Sequence, residues 1–296
     1  MKRKQKLFIF TMLAYPVLHF LVFTVFVNYQ TVVYSFKRWN VYTGKIEWVN
    51  WDNYRKVFEL IGEDPVYRYA VQNTLLWIPL NVLVLLPLSI VVGYVLSQKV
   101  RFHSFYRAVY FLPTIISIVI MTMVFSFATS PIIGIVNPLL GWIGLDGWQR
   151  SWLGDTQTAL PTVFFFCVWA GIGFYATMIM GAIARIPQEI FEVGKLEGLS
   201  KRKELVQVIV PMIWPNISAL ILIGTSSAFT IFLQSKLLTG GGPNSTTNTV
   251  ALQITVLIQK GDYGLASALG IMLILVGFGI TYAVKYALDR KTVVEY

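Results

Sequence analysis

Long apolar runs alternate along the chain with shorter polar segments. Six runs, at about 7–36, 69–98, 106–129, 157–184, 206–234 and 263–287, each hold enough apolar residues to cross roughly 30 Å of hydrocarbon as a helix. None carries Asp, Glu, Lys or Arg near its middle. The pattern predicts an all-α membrane protein, a single domain of six transmembrane helices over 1–296 with a core of about 69–287. Prolines at 16, 79, 87, 113, 161, 211 and 215 fall inside or at the ends of these runs. Membrane helices tolerate them where they pack on neighbours or line a cavity.

The polar segments differ in kind. The first, "KRWNVYTGKIEWVNWDNYRKVFELIGEDPVYR", mixes charge with Trp and Tyr, which suits a segment lying at a membrane interface and too short for a folded domain. "PIIGIVNPLLGWIGLDGWQRSWLGD" reads as a re-entrant or surface helix, and "LLTGGGPNSTTNT" is the most turn-like stretch. The segment 185–205 is the longest on its side of the membrane. Ile186-Pro187 stops the fourth run, Gln188 to Leu196 reads as a helix, and Lys201 to Val210 as the next. Gly198 stands between them, where glycine accepts a left-handed backbone. On these residues alone the segment is either a pair of short helices made for a partner or a solvated basic loop.

Composition narrows the class. Apolar residues make up 56% of the chain and charged residues 13%, against about 25% in a globular domain, so a soluble surface could not be covered. The first run is too long for the apolar core of a signal peptide. The net charge of +10 is unevenly placed: with the N-terminus inside, the inner segments hold 15 bases and 6 acids, the outer ones 9 and 8. That bias puts both termini in the cytoplasm and leaves no excess charge that calls for nucleic acid.

The chain offers little chemistry of its own. One cysteine, Cys167, and two histidines, His19 and His103, supply neither a disulfide nor a histidine or cysteine metal site. No phosphate-binding GxxxxGK[ST] loop, HExxH or nucleophile–base constellation is present, so no catalytic residue, metal or cofactor is assigned. Tyrosines aside, His19 is the only titratable group well inside a run besides the Cys167 thiol. Ion-coupled carriers generally need such groups, so the energy for any transport is expected from another subunit.

Several stretches carry a family resemblance. "IPQEIFEVGKLEGLSKRKELVQVIVPMIWP" resembles the EAA loop of permease subunits of binding-protein-dependent type I ABC importers, with Ile186, Pro187, Glu192, Gly198, Pro211 and Pro215 at matching spacings and Glu197 at the acidic position. Val193-Gly194 replace the two alanines, Leu199 the alanine after the glycine, and Leu205 the aromatic. "WVNWDNYRKVF", "NTLLW", "FYRAVYFLPTIIS", "GIVNPLLGWIGL" and "LLTGGGPNSTTNT" resemble, in order, stretches of the sugar branch related to maltose and glycerol-phosphate permeases.

The resemblance implies a multi-pass permease of a bacterial or archaeal cell membrane, in lipid. It is expected to pair with a second permease subunit and two ATPase subunits, which bind ATP and magnesium, and to receive a sugar or oligosaccharide from an extracellular solute-binding protein. Glu192, Glu197, Gly198, Leu199 and Ser200 are then expected to couple the permease to the ATPase. The path is expected to involve Trp169, Phe174, Tyr175, Ser227 and Gln234, since neutral sugar is held by hydrogen bonds and aromatic faces. Gly171 and Gly173 admit either a ligand or a neighbouring helix. Rival readings are an importer of the same fold for another solute, such as glycerol phosphate, and a non-transporting membrane scaffold.

Overall fold

In the computed structural model, residues 3–39, 44–98 and 101–290 are described. Lys2, Lys99 and Lys291 of the inner basic set lie outside them. The chain, predicted as one domain, divides into two compact units: residues 1–64 with Gln253–Ile274, and Pro65–Leu252 with the rest of the C-terminal helix.

The first unit opens with an apolar helix, Phe8–Ser35. Phe8, Phe10, Leu13 and Leu18, spaced around all its sides, are each more than half exposed. A helix apolar all round belongs in hydrocarbon or against other helices. After Phe36 the chain forms an antiparallel hairpin of β1 (Lys37–Trp39) and β2 (Ile46–Trp48), with Arg38 opposite Glu47. The amphipathic helix Asp52–Glu63 follows, burying Asn53 and Val57. The Asn53 amide donates to the carbonyls of Ser35 and Lys37 at 2.8 and 2.9 Å, and the Tyr54 and Ser35 hydroxyls lie 2.7 Å apart. Within the predicted interfacial segment, the Asn-Tyr pair of "WDNYR" thus ties the helix Asp52–Glu63 to the end of the first helix and the start of β1.

In the second unit the predicted runs at 69–98 and 157–184 are the helices Pro65–Ser97 and Ala159–Ile183. The first is π-helical over Leu80–Leu85, between Pro79 and Pro87, whose missing amide hydrogens interrupt the regular ladder. Two predicted runs are corrected. The run at 106–129 is two helices, His103–Ile115 and Ile118–Ala128, bent by 103°. The run at 206–234 ends at Ser227, and its apolar stretch belongs to two elements, Lys201–Met212 and Trp214–Ser227, bent by 77°. Pro215 has no amide hydrogen for the Pro211 carbonyl four residues back, and the helix breaks at Ile213 between them. The described residues therefore contain four helices long enough to cross a membrane, and six crossings if each bent pair counts as one.

Apolar clusters hold the described residues of this unit together. One joins Leu86, Tyr94, Ile179, Ile183, Ile209 and Ile217, from Pro65–Ser97, Ala159–Ile183 and the bent pair that starts at Lys201. Another surrounds Trp77 and Phe166.

Candidate coupling loop and translocation path

The 185–205 loop folds as predicted into a helix, Gln188–Leu196, a stop at Gly198 and a second helical element from Lys201. Gly198 has φ +70°, its amide donates to the Lys195 carbonyl at 3.1 Å, and the Leu199 amide donates to the Gly194 carbonyl at 2.9 Å. These two bonds form a Schellman closure, which satisfies carbonyls the helix end would otherwise leave open. Ser200 caps the next element: its carbonyl accepts from the Glu204 amide at 2.8 Å and its hydroxyl from the Lys203 amide at 3.5 Å.

The two faces of Gln188–Leu196 differ. Gln188, Glu192 and Lys195 turn to a cleft of about 470 Å³ shared with Gln98, Arg107 and Glu204. On the other side Ile190, Val193 and Leu196 are 38, 52 and 89% exposed. Glu197 and Ser200 are exposed and Leu199 is half-buried.

The predicted path residues are only partly brought together. Tyr175 is buried, and a Cβ on Gly224 would lie 3.2 Å from its hydroxyl and from Asn81 Cβ. Asn81 Nδ2 donates to the Gly224 carbonyl at 2.9 Å and to Ser227 Oγ at 3.3 Å. Tyr175, Ser227, Asn81 and Gly224 thus form one polar cluster within an apolar core. Asn81 is absent from the sequence-based set; its signal was a lone amide in the apolar run "PLNVLVLLPL". Trp169, 40% exposed, instead stacks with Phe125 at 6.4 Å between centroids, and Phe174 meets Tyr175 edge-on. Gln234 lies on a separate short helix, Leu233–Thr239.

Two stretches noted separately in the sequence form one structure. Asn73 of "NTLLW" donates to the Thr246 and Asn248 carbonyls at 2.7 and 2.8 Å, and Thr74 accepts from the Val250 amide at 3.0 Å. Around them "LLTGGGPNSTTNT" turns through Gly240, Gly241, Asn244 and Ser245, all at positive φ.

Residues 85–294 match the family described as the inner membrane component of binding-protein-dependent transport systems. The chain belongs to that family. It is 28% identical to the probable ABC transporter permease protein YurN of Bacillus subtilis, with 90% of this chain and 91% of that one aligned. It is 27% identical to the diacetylchitobiose uptake system permease protein NgcF of Streptomyces coelicolor, over 96% of this chain and 83% of that one. A solved bacterial alginate ABC transporter, in complex with an alginate pentasaccharide-bound periplasmic protein, shares the fold with a TM-score of 0.84 at 23% identity, covering 99% and 98% of the two chains.

Two of this permease's departures from the family's loop pattern explain each other. A Cβ at Gly194 would lie 3.3 Å from Leu199 Cδ1. The larger residue after Gly198 thus packs into the space that the missing side chain leaves, the apolar contact that accompanies a Schellman closure.

Proposed function

We propose that this permease subunit imports a sugar or oligosaccharide, delivered by an extracellular solute-binding protein and driven by separate ATPase subunits that hold ATP and magnesium. The observation that carries the ATPase role is the exposed apolar face of Ile190, Val193 and Leu196 on a short, closed helix in the 185–205 loop. An amphipathic helix of this kind fits a hydrophobic groove on a partner protein. In this reading Gly198, Leu199 and Ser200 shape the bend, Glu192 lies on the helix that leads into it and Glu197 at that helix's C-terminal end, the loop is cytoplasmic, and both termini share its side. A second permease subunit completes the pathway.

The sugar class is supported by relatives named for such solutes, among them the diacetylchitobiose permease and a multiple sugar-binding transport system permease of Streptococcus mutans, 26% identical. It is also supported by neutral hydrogen-bonding groups in the Tyr175, Ser227 and Asn81 cluster. Trp169 and Phe174 offer aromatic faces, and Gln234 a further amide, where sugar enters or leaves. Proteoliposomes holding this chain with its second permease, ATPases and binding protein are expected to accumulate labelled oligosaccharide only with ATP on the loop side. Diacetylchitobiose, arabinooligosaccharides and maltodextrins form the first panel. An ATPase that none of a broad set of sugar-loaded binding proteins stimulates, but that another class of solute does, overturns the sugar assignment.

A further inference from the structure

The helix Pro65–Ser97 is held by directional bonds at three heights within its unit. Asn73 and Thr74 grip the 246–250 segment near one end, and Asn81 grips Gly224 in the middle. At the loop end the partner is Glu204. Its side chain is 8% exposed, yet fully engaged. Oε1 accepts from the Tyr94 hydroxyl at 3.1 Å and from Gln98 Nε2 at 3.4 Å; Oε2 lies 3.1 Å from Lys201 Nζ, which also donates to Gln98 Oε1 at 2.9 Å. The Tyr94 hydroxyl is also 3.3 Å from the Lys201 carbonyl.

A buried carboxylate is costly unless it is paired and hydrogen-bonded, and an apolar side chain here would carry no such cost. What a bonded carboxylate adds over apolar contact is register: greasy surfaces slide past one another, whereas a network of directed bonds holds one alignment. Glu204 also opens the π-helical stretch Glu204–Ile209, a widened turn of the kind often found at functional positions. Beyond it the chain bends into Trp214–Ser227, whose Gly224 is held by Asn81 on the same long helix.

We propose that Glu204, gripped by Tyr94, Gln98 and Lys201, is a positioning residue that locks the second arm of the coupling loop to the Pro65–Ser97 helix, so that displacement of the loop is delivered to the helix carrying Asn81 and Asn73. This rests on the reading of the loop as the ATPase dock. Apolar packing alone would leave the loop free to slip along the helix during the cycle.

The test uses the assembled transporter, with Cys167→Ser, spin labels on Lys203→Cys and Val91→Cys, and ATP hydrolysis followed in parallel. Both labelled positions are exposed, one on each side of the joint. Between the nucleotide-free and vanadate-trapped states the label distance is expected to change by less than about 2 Å, while in Tyr94→Phe or Glu204→Leu it shifts by about one helical turn, ~5 Å, with ATP still hydrolysed. Tyr94→Phe removes one oxygen and keeps the packing, so it assembles even where Glu204→Leu does not. A distance that already shifts by a turn without either substitution, or one that stays fixed in Tyr94→Phe, overturns the proposal. A complex in which ATPase subunits do not bind this chain overturns the loop reading first, and the joint with it.

Discussion

Gly198 has open space where a Cβ would go, so the obstacle to any other residue there is the backbone. A left-handed φ costs an L-residue about 1–2 kcal/mol, less for Asn and most for a β-branched side chain. Uptake by the assembled transporter should therefore rank glycine above Gly198→Asn and that above Gly198→Val, with membrane levels similar by immunoblot. A Val variant as active as the parent would mean that the bend carries no force. Gly194 and Leu199 make a complementary pair. Gly194→Ala gains about 1 kcal/mol of helix propensity and crowds Leu199 Cδ1. The gain is expected in full only with Leu199→Ala present, a non-additivity of about 0.5–1 kcal/mol in thermal stability. Strictly additive shifts in melting would place Leu199 away from Gly194.

At the scale of elements, close approach decides what the helices can do. Gly173 admits a neighbouring helix: a Cβ there would overlap the Tyr110 carbonyl and crowd Thr114 Oγ1 and Phe111 Cα. Gly171 likewise faces Leu85. The helix His103–Ile115 thus lies in backbone contact with Ala159–Ile183, and its continuation turns away by 103°. Gly173→Val should force the two apart at a cost of about 1–3 kcal/mol, seen as a lower melting temperature of the purified complex. A melting curve superimposable on the parent's would rule out that contact. Gly181 on the same helix, with nothing within 4 Å of its would-be Cβ, is the control and should accept alanine.

For the whole molecule the deciding quantity is the distribution of charge. The 15-to-6 imbalance on one side, against 9-to-8 on the other, predicts that the 185–205 loop and both termini face the cytoplasm. Single cysteines at Ser200 and Asn244, both exposed, in a Cys167→Ser chain test this with an impermeant maleimide. Position 244 should label in intact cells and position 200 only after the membrane is opened. Labelling of position 200 in intact cells would invert the topology and remove the loop from the reach of any cytoplasmic ATPase.

Local patterns were legible without a structure. The apolar runs located the long helices to within a few residues, because a helix in hydrocarbon must carry its whole span of apolar side chains in one stretch. Gly198 and the short helix before it could be read from the chain because helix closure depends on neighbours within five residues. The rest depended on residues distant in sequence. Pro113 allows a break near Ile116–Ser117 but does not set its angle of 103°, and nothing in "NTLLW" names the turn more than 170 residues later that Asn73 holds. Glu204 reads as one more charge in a basic loop until the fold buries it beneath Tyr94. The cluster of Tyr175, Ser227 and Asn81 likewise exists only where three helices meet. Periodicity and charge set which segments enter the membrane; which polar groups face one another there was decided by packing, since a buried hydrogen bond is fixed by the position of both partners and sequence specifies only one at a time.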